Sequence, residues 1–320
     1  MWKLLADAQK IKREYLFLVL IGCLSFTLIG LKMALPQIPE PNSMDLYATI
    51  MNSDPEKPVF IQTDWTNSTR GESRGHFQGL VRSLMATNRK FVFYSVADPQ
   101  APQVARDAIR AINEERRAQN LREYKPWEDY LDLGLFPNAE NSLNSFSNSI
   151  KAAWGSRRVK DTEGKERPVF DSPVLKGVTK IEDCGAYYVV SASNSIDIAV
   201  ERLSNKVNMG GLVTGVMGPG MLPFYRSGQL KGLTIGLVGV YDLEYMMTHG
   251  INHPNEAGKV EVKYLAKPDL VVPPVPEGTT LGQGATNNLA LHIALTLMIL
   301  AIVLGNIGMV AKKKLEGGKK

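Results

Sequence analysis

Ala186-Tyr187-Tyr188-Val189-Val190-Ser191 is a near-continuous apolar run closed by a serine. A helix-like stretch at residues 196–203 follows, and then a second apolar run, Gly211-Leu212-Val213-Thr214-Gly215-Val216-Met217. A strand that is apolar on successive residues turns no face to water, so both its faces are covered. Strands of that kind, separated by helices, mark a parallel sheet with helices on either side. The same alternation extends upstream. Val59-Phe60-Ile61 runs into Gln62-Thr63-Asp64-Trp65, and residues 75–87 place Phe77, Leu80, Val81 and Leu84 at helical spacing. Phe91-Val92-Phe93-Tyr94-Ser95-Val96 reads as a strand, and residues 103–118 as an amphipathic helix with Val104, Ile109 and Ile112 on its apolar side. A short strand at 130–136 and a helix at 139–154 come next, before a charge-dense loop at 155–173 that reads as a solvated excursion. Downstream, residues 221–230 read as a helix, 233–240 as a glycine-bearing strand and 242–248 as a last helix. The expected fold is α/β, an open doubly wound, mostly parallel sheet of about five or six strands.

Two uncharged apolar runs bracket this domain, at residues 15–31 and 289–310. Each matches the roughly 17–25 residues that a helix needs to cross a bilayer. The expected organisation is a tail at 1–14, a transmembrane helix at 15–35, a proline-containing linker at 36–58 and an α/β domain at 59–267. A Pro/Gly-rich linker at 268–288, a second transmembrane helix at 289–311 and a basic tail at 312–320 complete it. The two tails carry about +2 and +4 of the net +5, which leaves the middle near −1. Basic flanks are retained in the cytoplasm, so both termini are expected there, with the domain outside the cell (inner) membrane, in the periplasm. The folded part lacks the positive charge of a nucleic-acid binder, and no nucleic-acid partner is expected.

Leu20-Ile21-Gly22-Cys23 resembles the lipobox of bacterial lipoproteins, but the apolar run continues to Leu31, so Cys23 reads as an ordinary membrane residue. Polar interruptions of the second run, His292 and Asn306, lie near its outer and inner ends, within reach of the interfaces. Cys184 is the one cysteine of the outer domain and reads as a small buried residue, with an intermolecular disulfide as the other reading.

Ligands of such folds bind where loops leave the carboxyl ends of strands. The polar residues expected there, and offered as a ligand-binding set, are Asp64, Thr66, Ser68, Arg70, Asp98, Ser191, Ser193, Asn194 and Asp242. Helix caps and turns favour the same residue types. Asp64-Trp65-Thr66-Asn67-Ser68 resembles the Asp-x-Ser-x-Ser metal-ion adhesion motif of von Willebrand factor A domains, with Thr in the middle position. The resemblance covers those five residues. It implies Asp64, Thr66 and Ser68 as oxygen ligands of Mg2+ or Ca2+, at the end of a first strand. No other cofactor is expected. Gly71 and Gly75 beside Arg70 and Arg74 offer a weak anion-binding turn at a helix start.

The enzyme reading is thin. No Gly-x-Ser-x-Gly elbow occurs, and His76, His249 and His253 show no zinc-ligand spacing. Three readings follow. The first is a membrane-anchored scaffold or docking module, whose partners are the lipid bilayer and other membrane or envelope proteins, or a copy of itself. The second is a sensor for a ligand or divalent cation. The third is an envelope hydrolase.

Overall fold

The computed structural model describes residues 12–30, 38–276 and 283–317. The charged residues at 1–11 and 318–320, and parts of the first span and both linkers, lie outside the described residues. Two compact units make up the chain, Gln37–Leu281 and a second unit formed by Met1–Pro36 with Gly282–Lys320.

The larger unit is built on a six-stranded parallel sheet. Its strands are β1 (Val59–Asp64), β2 (Phe91–Ser95), β3 (Tyr130–Leu135), β6 (Ala186–Ser191), β7 (Met209–Val213) and β8 (Leu230–Ile235), in the spatial order β3-β2-β1-β6-β7-β8. Residue alternation sorts their side chains into two cores. Val59, Ile61, Phe91, Phe93, Tyr188 and Val190 share one apolar cluster. Phe60, Val92, Tyr94, Tyr187 and Val189 share the other. Helices α2 (Pro41–Met51), α3 (Arg70–Ala86), α4 (Ala101–Ala118) and α9 (Gly236–His249) supply the first core. The second is filled from α5 (Ala139–Asn148), α6 (Ile150–Trp154), α7 (Ser195–Leu203) and α8 (Gly218–Arg226).

Several boundaries differ from those read in the sequence. The proline-containing linker expected at 36–58 carries α2, which starts at a proline suited to a first helical turn and is buried along most of its length. It lies on β8, where Asn42 Nδ2 donates to the Leu233 carbonyl at 2.9 Å. Gly232 makes this possible, because a Cβ there would stand 2.2 Å from the Leu46 backbone. Asp45 of α2 accepts from Tyr225 Oη (2.8 Å) and Lys267 Nζ (2.7 Å), a clasp that joins α2 to α8 and to the chain after α9. That later segment is no bare stalk, since Val272 and Val275 are buried in the first core.

The apolar run at 233–240 changes from strand to helix midway. Gly236 takes φ +59°, so β8 stops at Ile235 and α9 begins there. β7 likewise stops at Val213, which leaves 214–217 as a turn. The single helix expected at 139–154 is two, because extended Ser149 (φ −163°) ends one and caps the next through Ala152 N. The charged loop at 155–173 forms a short antiparallel hairpin of β4 (Arg158–Lys160) and β5 (Glu166–Pro168). Its turn is held by Asp161, which accepts from Lys165 N at 2.8 Å and Arg167 Nε at 2.6 Å.

The smaller unit pairs α1 (Arg13–Gly30) with α10 (Gln283–Gly317). Both are long and apolar enough to cross a membrane, with mean hydropathies of 1.6 and 2.4 over their most apolar windows. Only 6% of each window is buried, unlike the core helix of a soluble protein. Thr27, 1% exposed, donates to the Cys23 carbonyl at 2.8 Å, an intrahelical bond that a hydroxyl needs in an apolar setting.

Candidate functional site

β1 and β6 lie side by side, yet the chain leaves them in opposite directions, towards β2 and β3 on one hand and β7 and β8 on the other. α3 leaves β1 into the first core and α7 leaves β6 into the second. Such a reversal places a crevice above the carboxyl ends of the two central strands.

Asp64 closes β1 at this point and is 1% exposed. One carboxylate oxygen accepts from Ser95 Oγ (2.6 Å), Val96 N (2.9 Å) and Ala97 N (3.1 Å), all at the end of β2. The other accepts from Gln62 Nε2 (2.6 Å) and from Ser195 Oγ (2.6 Å) at the start of α7. A carboxylate offers about four lone-pair sites, so these donors fill it. The Asp64 carbonyl accepts from Ala192 N at 3.0 Å, extending the β1–β6 ladder past the strand end. One buried carboxylate thus ties together β1, the end of β2 and the start of α7.

A polar chain continues beneath it into the second core. Tyr94 Oη donates to Tyr187 Oη (2.7 Å), which donates to Gln62 Oε1 (2.6 Å), whose amide nitrogen donates to Asp64. Every member is satisfied and every donor points along the chain towards the carboxylate. Burial pushes both phenols well above the usual tyrosine range, so they stay protonated donors.

The other expected site residues fall into place around this knot. Ser191 Oγ donates to the Ser193 carbonyl (2.9 Å) and accepts from Ser193 N (3.0 Å), and Ser193 Oγ lies 2.9 Å from Ser195 Oγ. Asn194 is exposed in the turn before α7. Asp98 accepts from Gln100 N (2.7 Å), and its own N–H reaches Ser95 Oγ (2.9 Å), which shapes the entry to α4. Thr66 and Ser68 bond to each other through their hydroxyls, and neither bonds to Asp64. Asp242 is not at this edge. The helix that starts at Gly236 carries it into the buried face of α9, where it accepts from Glu40 N at 3.1 Å.

α3 begins at Arg70, earlier than the spacing of its apolar residues predicts, so Arg70 and Arg74 stand one turn apart at its start. Neither makes a hydrogen bond or ion pair with the described residues. Gly71 faces open space, whereas a Cβ on Gly75 would stand 2.9 Å from Val240. Gly75 therefore serves helix packing against α9, not a ligand turn. Glu72 reaches the end of β7, accepting from Gly215 N at 2.7 Å. Deeper on α3, His76 Nδ1 shares a hydrogen bond of 3.1 Å with Thr234 Oγ1 of β8, and burial pushes its pKa down to about 4.

At the rim the Thr66 and Ser68 hydroxyls bond to each other and Arg70 and Arg74 have no partner among the described residues, while the buried members hold the strand ends. Gln62, Tyr94 and Tyr187 escaped the sequence reading because they sit inside strands. Their signal is the two-residue alternation Phe60, Gln62, Asp64, which puts a polar residue on a core face.

At the opposite pole, where β1, β6 and β7 begin, a cavity of about 790 Å³ is lined by Asn52, Lys57, Cys184, Asn205 and Asn208 among others. Cys184 is 4% exposed and its thiol is pushed up by burial, which leaves it a packing residue. No protein-family model, curated protein or solved structure matches this chain.

Proposed function

We propose that the chain is a membrane-anchored docking module whose outer α/β domain holds a place in a membrane complex. The observation that carries this reading is the state of Asp64. Hydrolytic chemistry at a sheet's carboxyl edge needs a carboxylate or hydroxyl with lone pairs or protons free for substrate. Here the edge's most buried acid has five donors, and its serines bond to one another. That network fixes the geometry of the edge, as a rigid binding face requires. The two apolar helices supply the anchoring, with the basic flanks inside and the domain in the extracytoplasmic space.

The test is chemical cross-linking of the full chain in its native membranes, followed by purification and mass spectrometry of linked peptides. A second protein linked to lysines of the outer domain is expected. Recovery of the chain with no other protein attached, under conditions that link a known complex of the same membrane, overturns the reading.

A further inference from the structure

The apolar run of α10 carries three polar side chains, His292, Thr296 and Asn306. At 3.6 residues per turn they fall within an arc of about 80°. All three are exposed on the surface of the helix pair. From His292 onward, the residues covered along α10 lie on its other side. Gly308 and Ala311 are buried and Ala294, Leu297, Ala301 and Gly305 half-buried, and α1 packs along α10. The polar arc therefore faces away from α1. Within it, His292, Thr296, Ile299, Val303 and Asn306 recur at alternating steps of four and three, the repeat of a left-handed helix seam. Ile299 and Val303 are 57% and 46% exposed, so the seam has no occupant among the described residues.

Depth makes the vacancy costly. From the middle of the 289–310 run, Thr296 lies about 5 Å and His292 and Asn306 about 10 Å away along the axis. All are inside the roughly 15 Å half-thickness of a hydrocarbon core. Thr296 Oγ1 donates to the His292 carbonyl (2.8 Å), and His292 Nδ1 donates to the Asn288 carbonyl (2.8 Å), which leaves Nε2 uncommitted. The Asn306 carboxamide has no hydrogen-bond partner among the described residues. Polar groups at such depth face other helices, not lipid.

We infer that this seam is a self-association surface, on which two copies of the chain pair through parallel α10 helices. A second copy fits because the polar groups complement themselves. A carboxamide donates and accepts, so two Asn306 side chains across a two-fold axis along the membrane normal close a reciprocal pair. Parallel helices also bring His292 and Thr296 to their counterparts at equal depth. The inference rests on the anchoring part of the reading above and is independent of what the outer domain docks to.

Cysteine cross-linking of the full chain in native membranes tests it, in a Cys23→Ala, Cys184→Ala background. Val303→Cys, on the seam, is expected to form a disulfide-linked dimer on mild oxidation. Ala301→Cys, on the α1 side, is expected to stay monomeric. Adding Asn306→Leu should lower the Val303→Cys dimer yield roughly fivefold or more, and Asn306→Gln, which keeps the amide, should preserve it. A monomeric Val303→Cys protein, equal linking at both positions, or indifference to Asn306→Leu overturns the inference. Carbonate extraction of the same membranes separates the failures. A chain released by carbonate defeats the anchoring and the seam together. A retained chain that links to other proteins but not to itself defeats the seam alone.

Discussion

His76 shows how one residue can set the response of the domain to acid. Its ring is fully buried between α3 and β8, and desolvation holds its pKa near 4, against about 6.5 in an unfolded chain. Below pH 6.5 the unfolded chain takes up a proton that the folded one refuses. The stability His76 contributes is therefore complete above pH 6.5, falls as the pH drops and is gone near pH 4. The shift corresponds to roughly 3 kcal/mol. Carboxylates titrate over the same range, so the informative quantity is the gap between the wild type and His76→Gln. Denaturant unfolding at pH 7 and pH 4 should show the variant gaining on the wild type by roughly 3 kcal/mol as the pH falls. Two parallel stability profiles would mean that water reaches the ring. Asp64 is a residue of the other kind, whose partners explain why its role was hidden. The sequence places it at a strand end beside hydroxyls, which suits both a ligand set and a knot. Only the approach of Ser95, Val96, Ala97 and Ser195 from elsewhere in the chain decides between them.

Among the elements, α2 depends most on a single small residue. Leu46 lies so close to β8 that a Cβ at Gly232 would meet its backbone N and Cα at 2.2 Å, and backbone cannot rotate aside as a side chain can. Gly232→Ala should push α2 off the sheet and cost about 3 kcal/mol, the upper part of the overpacking range. Gly71→Ala, where the added methyl meets nothing, should be neutral or stabilising by up to about 1 kcal/mol. Thermal unfolding of both variants checks the contrast; equal effects would show that α2 yields easily. The same element marks the limit of sequence reading. β1, β2 and β6 were legible because parallel strands are apolar on both faces, and α4 because its charged and apolar faces separate cleanly. α2 was not, because its prolines read as a linker and its apolar residues, Met44, Leu46, Tyr47 and Ile50, join a core with Leu212, Leu243 and Val272, more than 160 residues away. Distant pairing also hid the start of α3, whose first turn carries Arg70 and Gly71, and the switch at Gly236, where one torsion turns an apolar strand into a helix.

At the scale of the whole molecule the two units hold themselves together by different means. The larger one closes its own edges. On β8, Asn42 and the Asp45 clasp cover the outermost strand, and at β3 the guanidinium of Arg157 donates to the Leu135 carbonyl while Arg106 pairs with Asp132. Covered or charged edges of this kind keep a sheet from pairing with other chains. Its two cores are each continuous, and the chain enters through α2 and leaves past Val275 on the same core. The smaller unit exposes apolar side chains nearly all round, which a bilayer tolerates and water does not. Residues 37–281, expressed without the two apolar helices, should then be soluble without detergent and unfold in one cooperative transition. The midpoint should lie within a few degrees of that of the full chain in mild detergent, since a domain's melting temperature shifts by several degrees for about 1 kcal/mol. Calorimetry on both proteins makes the comparison. An excised domain that aggregates, or that melts broadly without a heat-absorption peak, would mean that the apolar helices contribute to its core, and the division of the chain into a self-sufficient domain and a separate anchor would be wrong.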